Sequence, residues 1–187
     1  MKILTMKFGG TSVADIDRIR AVRDIISDEI RDGWNVVAVV SAMSKETNKL
    51  IDLAKQVGVE NLVDPEYDSL ISTGEDVSSS LLAIALNSIK ISSRSWRGWQ
   101  LPIRTDSFHS NAKIEEINTN QLINSFKEGV KVAVVSGFQG MEQAGRITTL
   151  GRGGSDTSAV AIAAAIDAER CDIYTDVSGI YLSLIHI

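Results

Sequence analysis

Apolar residues in this chain alternate between two spacings, and this alternation restricts the possible folds more than any other feature. Apolar side chains occupy every second position over residues 2–8 and run continuously over residues 36–40 and 130–135, as in strands buried on one or both faces. Between the first two runs, apolar residues recur at helical spacing, at Ile16, Ile19, Val22, Ile26 and Ile30. Strand, helix and strand in this order predict a βαβ unit.

The same alternation continues toward the end of the chain. Helical spacing returns in residues 50–57, 77–89, 122–126 and 160–164. In residues 77–89 the apolar stripe is Val77, Leu81, Ala85 and Ile89. In residues 160–164 it is Val160, Ala163 and Ala164. Residues 137–151 are rich in glycine and predict a hairpin, and residues 172–177 predict a further strand. We therefore expect an α/β fold, a three-layer αβα sandwich with a mainly parallel central sheet and ligands beyond the carboxyl ends of its strands.

Composition narrows the class of protein further. A chain of 187 residues with 44% hydrophobic side chains can bury the core of one domain. The net charge is -5 and the basic residues are scattered singly, which argues against nucleic-acid binding. The longest apolar run, residues 159–166, falls far short of the ~20 residues that a membrane-spanning helix needs. We expect a cytoplasmic protein that binds neither a membrane nor nucleic acid.

Cysteine and histidine are too few for a zinc site. The single cysteine, Cys171, is expected to be buried filler, and two histidines cannot complete a Cys/His set, so no metal ligands are expected from the chain. His109 lies in a polar segment with no base or metal partner near it, and we assign it no catalytic role.

Two glycine clusters follow strand-like segments and precede helices. The first, residues 7–12, reads Lys-Phe-Gly-Gly-Thr-Ser, and its N–H groups, hydroxyls and Lys7 would form a cradle for phosphate oxygens; a tight turn with a solvated lysine is the alternative. The second, residues 151–157, reads Gly-Arg-Gly-Gly-Ser-Asp-Thr, and its arginine suits capture of a carboxylate. Asp156 is either the N-cap of the next helix or a partner that orients Lys7. Neither cluster matches the P-loop pattern.

These clusters occur in a fixed order with two further segments, Ser-Ala-Met at residues 41–43 and Ser-Thr-Gly-Glu at residues 72–75. With these four motifs, the chain resembles bacterial aspartate kinases from residue 2 to residue 181. The resemblance implies the amino-acid kinase fold. It also implies transfer of the γ-phosphoryl group of ATP, with Mg²⁺ on its phosphates, to the side-chain carboxylate of L-aspartate, at the start of lysine, threonine and methionine synthesis.

The resemblance also implies a role for individual residues. Lys7 would contact the transferring phosphoryl group, and Asp156 would organise the catalytic lysine. The residues implied for ATP are Lys7, Phe8, Gly9, Gly10, Ser41, Thr175, Asp176 and Tyr181. Those implied for aspartate are Thr47, Glu75, Arg152, Gly153 and Ser155, with Arg152 on a carboxylate and Glu75 on the ammonium group.

The chain departs from the family pattern near its end. Ser178 stands where the family usually has Asp, and residues 182–187 do not continue its pattern. We therefore expect an amino-acid kinase domain over residues 1–181, incomplete at its C-terminus and comprising an N-terminal lobe and the start of a nucleotide-binding lobe. Residues 182–187 would be a truncated or non-native tail, and ACT-type regulatory domains would be absent.

Two alternative functions stay open. The chain could be another amino-acid kinase, acting on acetylglutamate, glutamate or a nucleoside monophosphate, because these enzymes share the fold and the phosphate-binding glycines. It could also be an inactive nucleotide-binding fragment. We expect a homo-oligomer or association with a full-length subunit.

Overall fold

The computed structural model describes residues 1–58 and 63–175 of the chain. Strands and helices alternate through most of these residues. In chain order they are β1 (Ile3–Phe8), α1 (Ile16–Arg31), β2 (Asn35–Val40), α2 (Glu46–Val57), α3 (Pro65–Ile71), α4 (Thr73–Ser88), β3 (Ser93–Trp96), β4 (Ile103–Thr105), β5 (Ile114–Ile117), α5 (Asn120–Lys127), β6 (Val132–Ser136), β7 (Gln139–Met141), β8 (Ile147–Thr149), α6 (Gly154–Ala165) and β9 (Arg170–Tyr174).

The central sheet has five strands in the order β3-β6-β2-β1-β9, and all its neighbouring strands are parallel. The expected α/β fold with a mainly parallel sheet is thus confirmed. Because the strands are parallel, their carboxyl ends meet at one edge, and the loops that follow β1, β2 and β6 lie together there beside the end of β9. A smaller second sheet has the order β5-β4-β7-β8, and it contains the predicted hairpin as β7 and β8.

Two apolar layers cover the faces of the central sheet. Alternate residues of β1 point to opposite faces, so Leu4, Met6 and Phe8 pack in one layer with α1 and α4, whereas Ile3 packs in the other with α5 and α6. Lys7 is four positions after Ile3 in the strand and therefore points to the same face of the sheet. The strand therefore directs the lysine to the face that α6 covers.

Helices α4 and α6 bury different faces from those that apolar spacing predicted. Val77 and Val160, taken as buried, are 49% and 55% exposed. The buried faces instead carry Ser78 and Ser79 on α4 and Ser158 on α6, together with apolar residues. Hydrogen bonds explain the difference, because these hydroxyls bond to backbone or side-chain oxygens and so can be buried at little cost.

The prediction that Cys171 is buried filler is wrong. The cysteine is exposed, and it lies on β9, which pairs on one side with β1 and is an edge strand of the sheet in the described part of the chain. Helix α1 begins directly after Asp15. The side chain of Asp15 accepts a hydrogen bond from the backbone N–H of Arg18 and caps the helix.

Candidate active site

Lys7 lies at the carboxyl end of β1 and forms a close ion pair with α6. Its Nζ is 2.7 Å from Oδ1 of Asp156, in the first turn of that helix. The lysine side chain is 10% exposed and that of Asp156 is 47% exposed. The N-cap of α6 is Gly153, so the alternative that Asp156 is the cap is wrong. The aspartate instead holds the lysine ammonium group at the strand end.

The first glycine turn, the end of β2 and the start of α6 meet beside this ion pair. A Cβ at Gly10 would lie 2.9 Å from the carbonyl oxygen of Ala42, so a side chain there would push the two segments apart. Ser41 donates a hydrogen bond from its Oγ to that of Ser155, over 2.9 Å. Ser78 of α4 donates to the carbonyl oxygen of Ser41 at 2.7 Å. The strand ends are therefore tied together at the sheet edge.

Glu75 is a buried acid near the start of α4, with only 4% of its surface exposed. The backbone N–H of Ala42 donates to its Oε1 at 3.0 Å, whereas Oε2 has no hydrogen-bond partner among the described residues. Burial raises the pKa of Glu75 to about 8; the N–H of Ala42 opposes this rise and the nearby charge of Asp76 adds to it. At neutral pH the free protein thus holds this side chain mostly protonated.

Two cavities adjoin at these residues and form one cleft. A cavity of about 440 Å³ lies between the first glycine turn, the segment after β2 and the end of β9. A second cavity, of about 280 Å³, lies between Phe138 and the second glycine turn, which carries Arg152. Four residues line both cavities: Lys7, Ser41, Thr47 and Glu75. Lys7 and Arg152 therefore share a cleft, although they are far apart in the sequence.

Most of the residues predicted from the sequence line this cleft. They are Lys7, Gly9, Gly10, Ser41, Thr47, Glu75, Arg152, Gly153, Ser155, Asp156 and Thr175. Among the described candidates, Phe8 does not line it, because its side chain is fully buried and stacks on Tyr174 with ring centroids 4.8 Å apart. Phe8 could contact a nucleotide only through its backbone. Asp176 and Tyr181 lie outside the described residues.

The sequence did not reveal a buried polar cluster behind the second glycine turn. Asp68 of α3 is fully buried and accepts hydrogen bonds from His109, Ser110 and Thr149. The prediction that His109 has no base near it is therefore wrong: its Nδ1 lies 2.9 Å from Oδ2 of Asp68. These two residues are 41 positions apart, so no local spacing could have paired them.

Comparison with known proteins shows the family of the chain and agrees with its fold. The sequence model of the amino acid kinase family matches residues 2–183. The chain belongs to this family. The aspartokinase of Bacillus sp. (strain MGA3) is 50% identical to this chain over 181 residues, which cover 97% of the chain and 44% of that relative. The chain thus spans less than half the length of the curated relatives it matches.

Two solved structures are similar to this chain. The crystal structure of aspartate kinase from Synechocystis superposes with a TM-score of 0.78 at 45% identity, covering 93% of this chain and 28% of that one. Aspartokinase III of E. coli, crystallised with aspartate and ADP, gives a TM-score of 0.82 at 29% identity and covers 96% and 50% of the two chains. The expected amino-acid kinase fold is confirmed by both.

Within residues 1–58 and 63–175, none of the helices has both the length and the apolar character that crossing a membrane requires. Over those ranges, no group of three or more His, Cys, Asp or Glu side chains is placed to hold a metal ion.

Proposed function

We propose that this chain carries the active site of an aspartate kinase, which transfers the γ-phosphoryl group of ATP to the side-chain carboxylate of L-aspartate. The observation that carries the proposal is the charge pattern of the cleft, where Glu75, Arg152 and Lys7 line one continuous space. L-Aspartate has one ammonium group and two carboxylates. Glu75 suits the ammonium group, Arg152 suits one carboxylate, and Lys7 suits the phosphoryl group that the other carboxylate attacks. Relatives named aspartokinase, at about 50% identity, support this substrate.

The second glycine turn and Glu75 form the aspartate end of the cleft. Arg152 is exposed, lines the cavity and has no ion-pair partner among the described carboxylates, so its guanidinium group can take a carboxylate of the substrate in a bidentate contact. Glu75 offers the ammonium group its Oε2, which has no hydrogen-bond partner within the described residues. A cation beside Glu75 favours its ionised form, so binding of the amino acid releases the proton that burial retains there.

The first glycine turn fits the phosphates of ATP. A Cβ at Gly9 would lie 3.6 Å from Nζ of Lys7, and glycine therefore leaves open the space beside the ammonium group. Gly10, Ser41 and Thr175 line the same cavity. Because the described residues include no metal-binding cluster, Mg²⁺ would be held mainly by phosphate oxygens and water, where it would neutralise part of their charge.

The chain needs no general base for this reaction. The attacking side-chain carboxylate of aspartate has an ordinary pKa of ~3.9 and is already ionised at neutral pH. Catalysis is then alignment and charge neutralisation: Lys7 faces the phosphoryl group in transfer, and Asp156 fixes the direction of Lys7. The hydrogen bond from Ser41 to Ser155 holds the phosphate and aspartate ends of the cleft in register.

An ADP-release assay with several acceptors tests the proposal. L-Aspartate is compared with glutamate, acetylglutamate and uridine monophosphate, and Lys7→Ala provides the background rate. We expect turnover with L-aspartate that is lost in Lys7→Ala. Turnover with one of the other acceptors alone would assign a different amino acid kinase, and nucleotide binding without turnover on any acceptor would favour the inactive fragment.

A further inference from the structure

Asp68, His109, Ser110 and Thr149, here called the Asp68 cluster, lie outside the lining of the cleft yet adjoin the turn that carries Arg152. Thr149 is the last residue of β8, and both its backbone N–H and its hydroxyl donate to the Asp68 carboxylate, at 3.0 and 2.7 Å. The second glycine turn begins two residues later. Asp68 therefore fixes the strand end from which the turn starts.

The same carboxylate fixes the loop between β4 and β5. Nδ1 of His109 and the backbone N–H of Ser110 each donate to Oδ2 of Asp68 at 2.9 Å. From the other side, the backbone N–H of Ala112 donates to the carbonyl oxygen of Thr149 at 2.9 Å. The loop and the end of β8 are thus joined both directly and through a carboxylate from α3.

This loop packs against the backbone next to Arg152. Gly151 has φ +73°, and a Cβ there would lie 2.7 Å from Oδ1 of Asn111 and 3.2 Å from the carbonyl oxygen of Ser110. The loop therefore contacts the glycine backbone directly. Arg152 itself is exposed and has no ion pair within the described residues. Its direction depends on how the backbone of the turn is held.

We propose that Asp68 and His109 are positioning residues for Arg152. By holding Ser110 and Asn111 against Gly151, they keep the turn in the orientation in which Arg152 lines the cleft. The ligand in this inference, L-aspartate, rests on the proposed function, whereas the positioning of the turn does not. A misplacement of about 1 Å in a substrate-binding group is enough to weaken its effect by one to two orders of magnitude.

A pair of His109 variants tests the inference. His109→Leu removes the donor to Asp68 and keeps an apolar side chain, whereas His109→Asn keeps an N–H donor at the position of Nδ1. We expect the dissociation constant of L-aspartate, measured by calorimetry, to rise about tenfold in His109→Leu and to return close to the wild-type value in His109→Asn. The dissociation constant of ADP should not change. Amide hydrogen exchange at residues 151–154 should become faster in His109→Leu alone.

Ile26→Val is the control for a general loss of stability, because Ile26 is a buried residue of α1, in the apolar layer on the face of the central sheet opposite α6. It should lower the unfolding temperature and leave aspartate affinity and exchange at residues 151–154 unchanged. If His109→Leu behaves in the same way, the cluster only stabilises the fold and the inference is overturned.

Two further results still decide whether the inference holds. If the wild-type chain does not bind L-aspartate, the proposed function fails, but exchange at residues 151–154 still decides whether the turn is held by the cluster. If His109→Leu does not fold, Asn111→Ala removes a contact with Gly151 from an exposed residue and leaves Asp68 fully bonded. Unchanged exchange and affinity in Asn111→Ala would then overturn the inference.

Discussion

Two carboxyl groups are buried on consecutive helices, Asp68 on α3 and Glu75 on α4. They differ in how many hydrogen bonds their oxygens accept. Asp68 accepts hydrogen bonds on both oxygens from the backbone and side chains of two separate segments. Glu75 accepts one from Ala42 on Oε1, and its Oε2 has no partner within the described residues. Asp68 is enclosed, whereas Glu75 lines the cleft.

Under the proposed function, this difference separates an acid that stabilises the fold from an acid that binds the substrate. Burying a carboxyl group without hydrogen bonds costs free energy, so a fold that retains one must gain from it elsewhere. Asp68 has no such cost, because its donors replace water. Glu75 lacks one donor at the place where a substrate would supply it, and the rise of its pKa to about 8 expresses that deficit.

Removal of the saturated acid should give the largest effect on stability. Asp68→Ala leaves the N–H groups of Ser110 and Thr149 and the ring of His109 without their acceptor. We expect a loss of about 3–5 kcal/mol in the free energy of unfolding. The unfolding temperature should fall by roughly 10 °C for a chain of this size. Differential scanning calorimetry measures both.

Asp68→Asn is the matched control for this change. It keeps the shape and one acceptor oxygen, so its loss of stability should be distinctly smaller than that of Asp68→Ala. Equal stability of Asp68→Ala and the wild type would show that the hydrogen bonds of this cluster contribute nothing to the fold.

The unsaturated acid should show the reverse pattern. Glu75→Gln keeps an acceptor for the N–H of Ala42 but cannot become negative, so the free variant should be more stable than the wild type at pH 7, where the wild type must take up a proton to fold. The dissociation constant of L-aspartate should rise about 100-fold, because the ammonium group loses its counter-charge. Calorimetric titration measures this change. Glu116→Gln, on the exposed strand β5, is the control and should bind L-aspartate normally.

The pH dependence of stability tests the protonated state of Glu75 in the folded chain. Glu75 has a folded pKa of about 8 against an ordinary value of 4.5, so between these values the folded state holds a proton that the unfolded state has lost. Its contribution to stability is complete below pH 4.5, declines as pH rises and is lost above pH 8. The free energy of unfolding should fall by up to about 1.4 kcal/mol per pH unit, which is the slope for a difference of one bound proton between the folded and unfolded states.

Glu75→Gln isolates this slope. Denaturant unfolding of the wild type and the variant at several pH values between 5 and 8.5 gives the difference in stability, which should grow in favour of the variant with rising pH. A difference that stays constant across this range would contradict the protonated state of Glu75 in the free protein.

The regular parts of the fold could be predicted from the sequence because their side chains follow one simple period. Strands β1, β2 and β6 are continuous or alternating apolar segments, and α1 has a single apolar stripe with its cap at Asp15. Apolar spacing did not predict the buried faces of α4 and α6, because hydrogen-bonded serines occupy part of those faces. The three-residue strands β4, β7 and β8 are too short to give a period, and only the glycines marked the hairpin.

The same distinction applies to the candidate site. Both glycine turns are local motifs, so the spacing of Lys7 and of Arg152 from their glycines could be read directly from the sequence. The Asp68 cluster is built from segments that are 41 and 81 positions apart, and nothing in the local pattern of any one of them indicates the others. Asp68 gave one local hint, because it precedes the buried Ile71 by three positions and so shares its helix face.

The smallest effect on stability and on L-aspartate binding is expected for a change at Ser78, which supports Glu75 only indirectly. Ser78, one turn after Glu75, donates a hydrogen bond to the carbonyl oxygen of Ser41, next to Ala42. Ser78→Ala removes this bond and should cost about 1 kcal/mol of stability in denaturant unfolding. The segment is still held by Ala42 on Glu75 and by Ser41 on Ser155, so L-aspartate affinity should change by less than about threefold. Ser88→Ala, whose hydroxyl bonds only within the exposed end of α4, should change neither quantity. Ser78→Ala could instead weaken L-aspartate binding as much as Glu75→Gln does. In that case the position of Glu75 would depend on neighbouring hydrogen bonds as strongly as that of Asp68, and the contrast between the two acids would no longer hold.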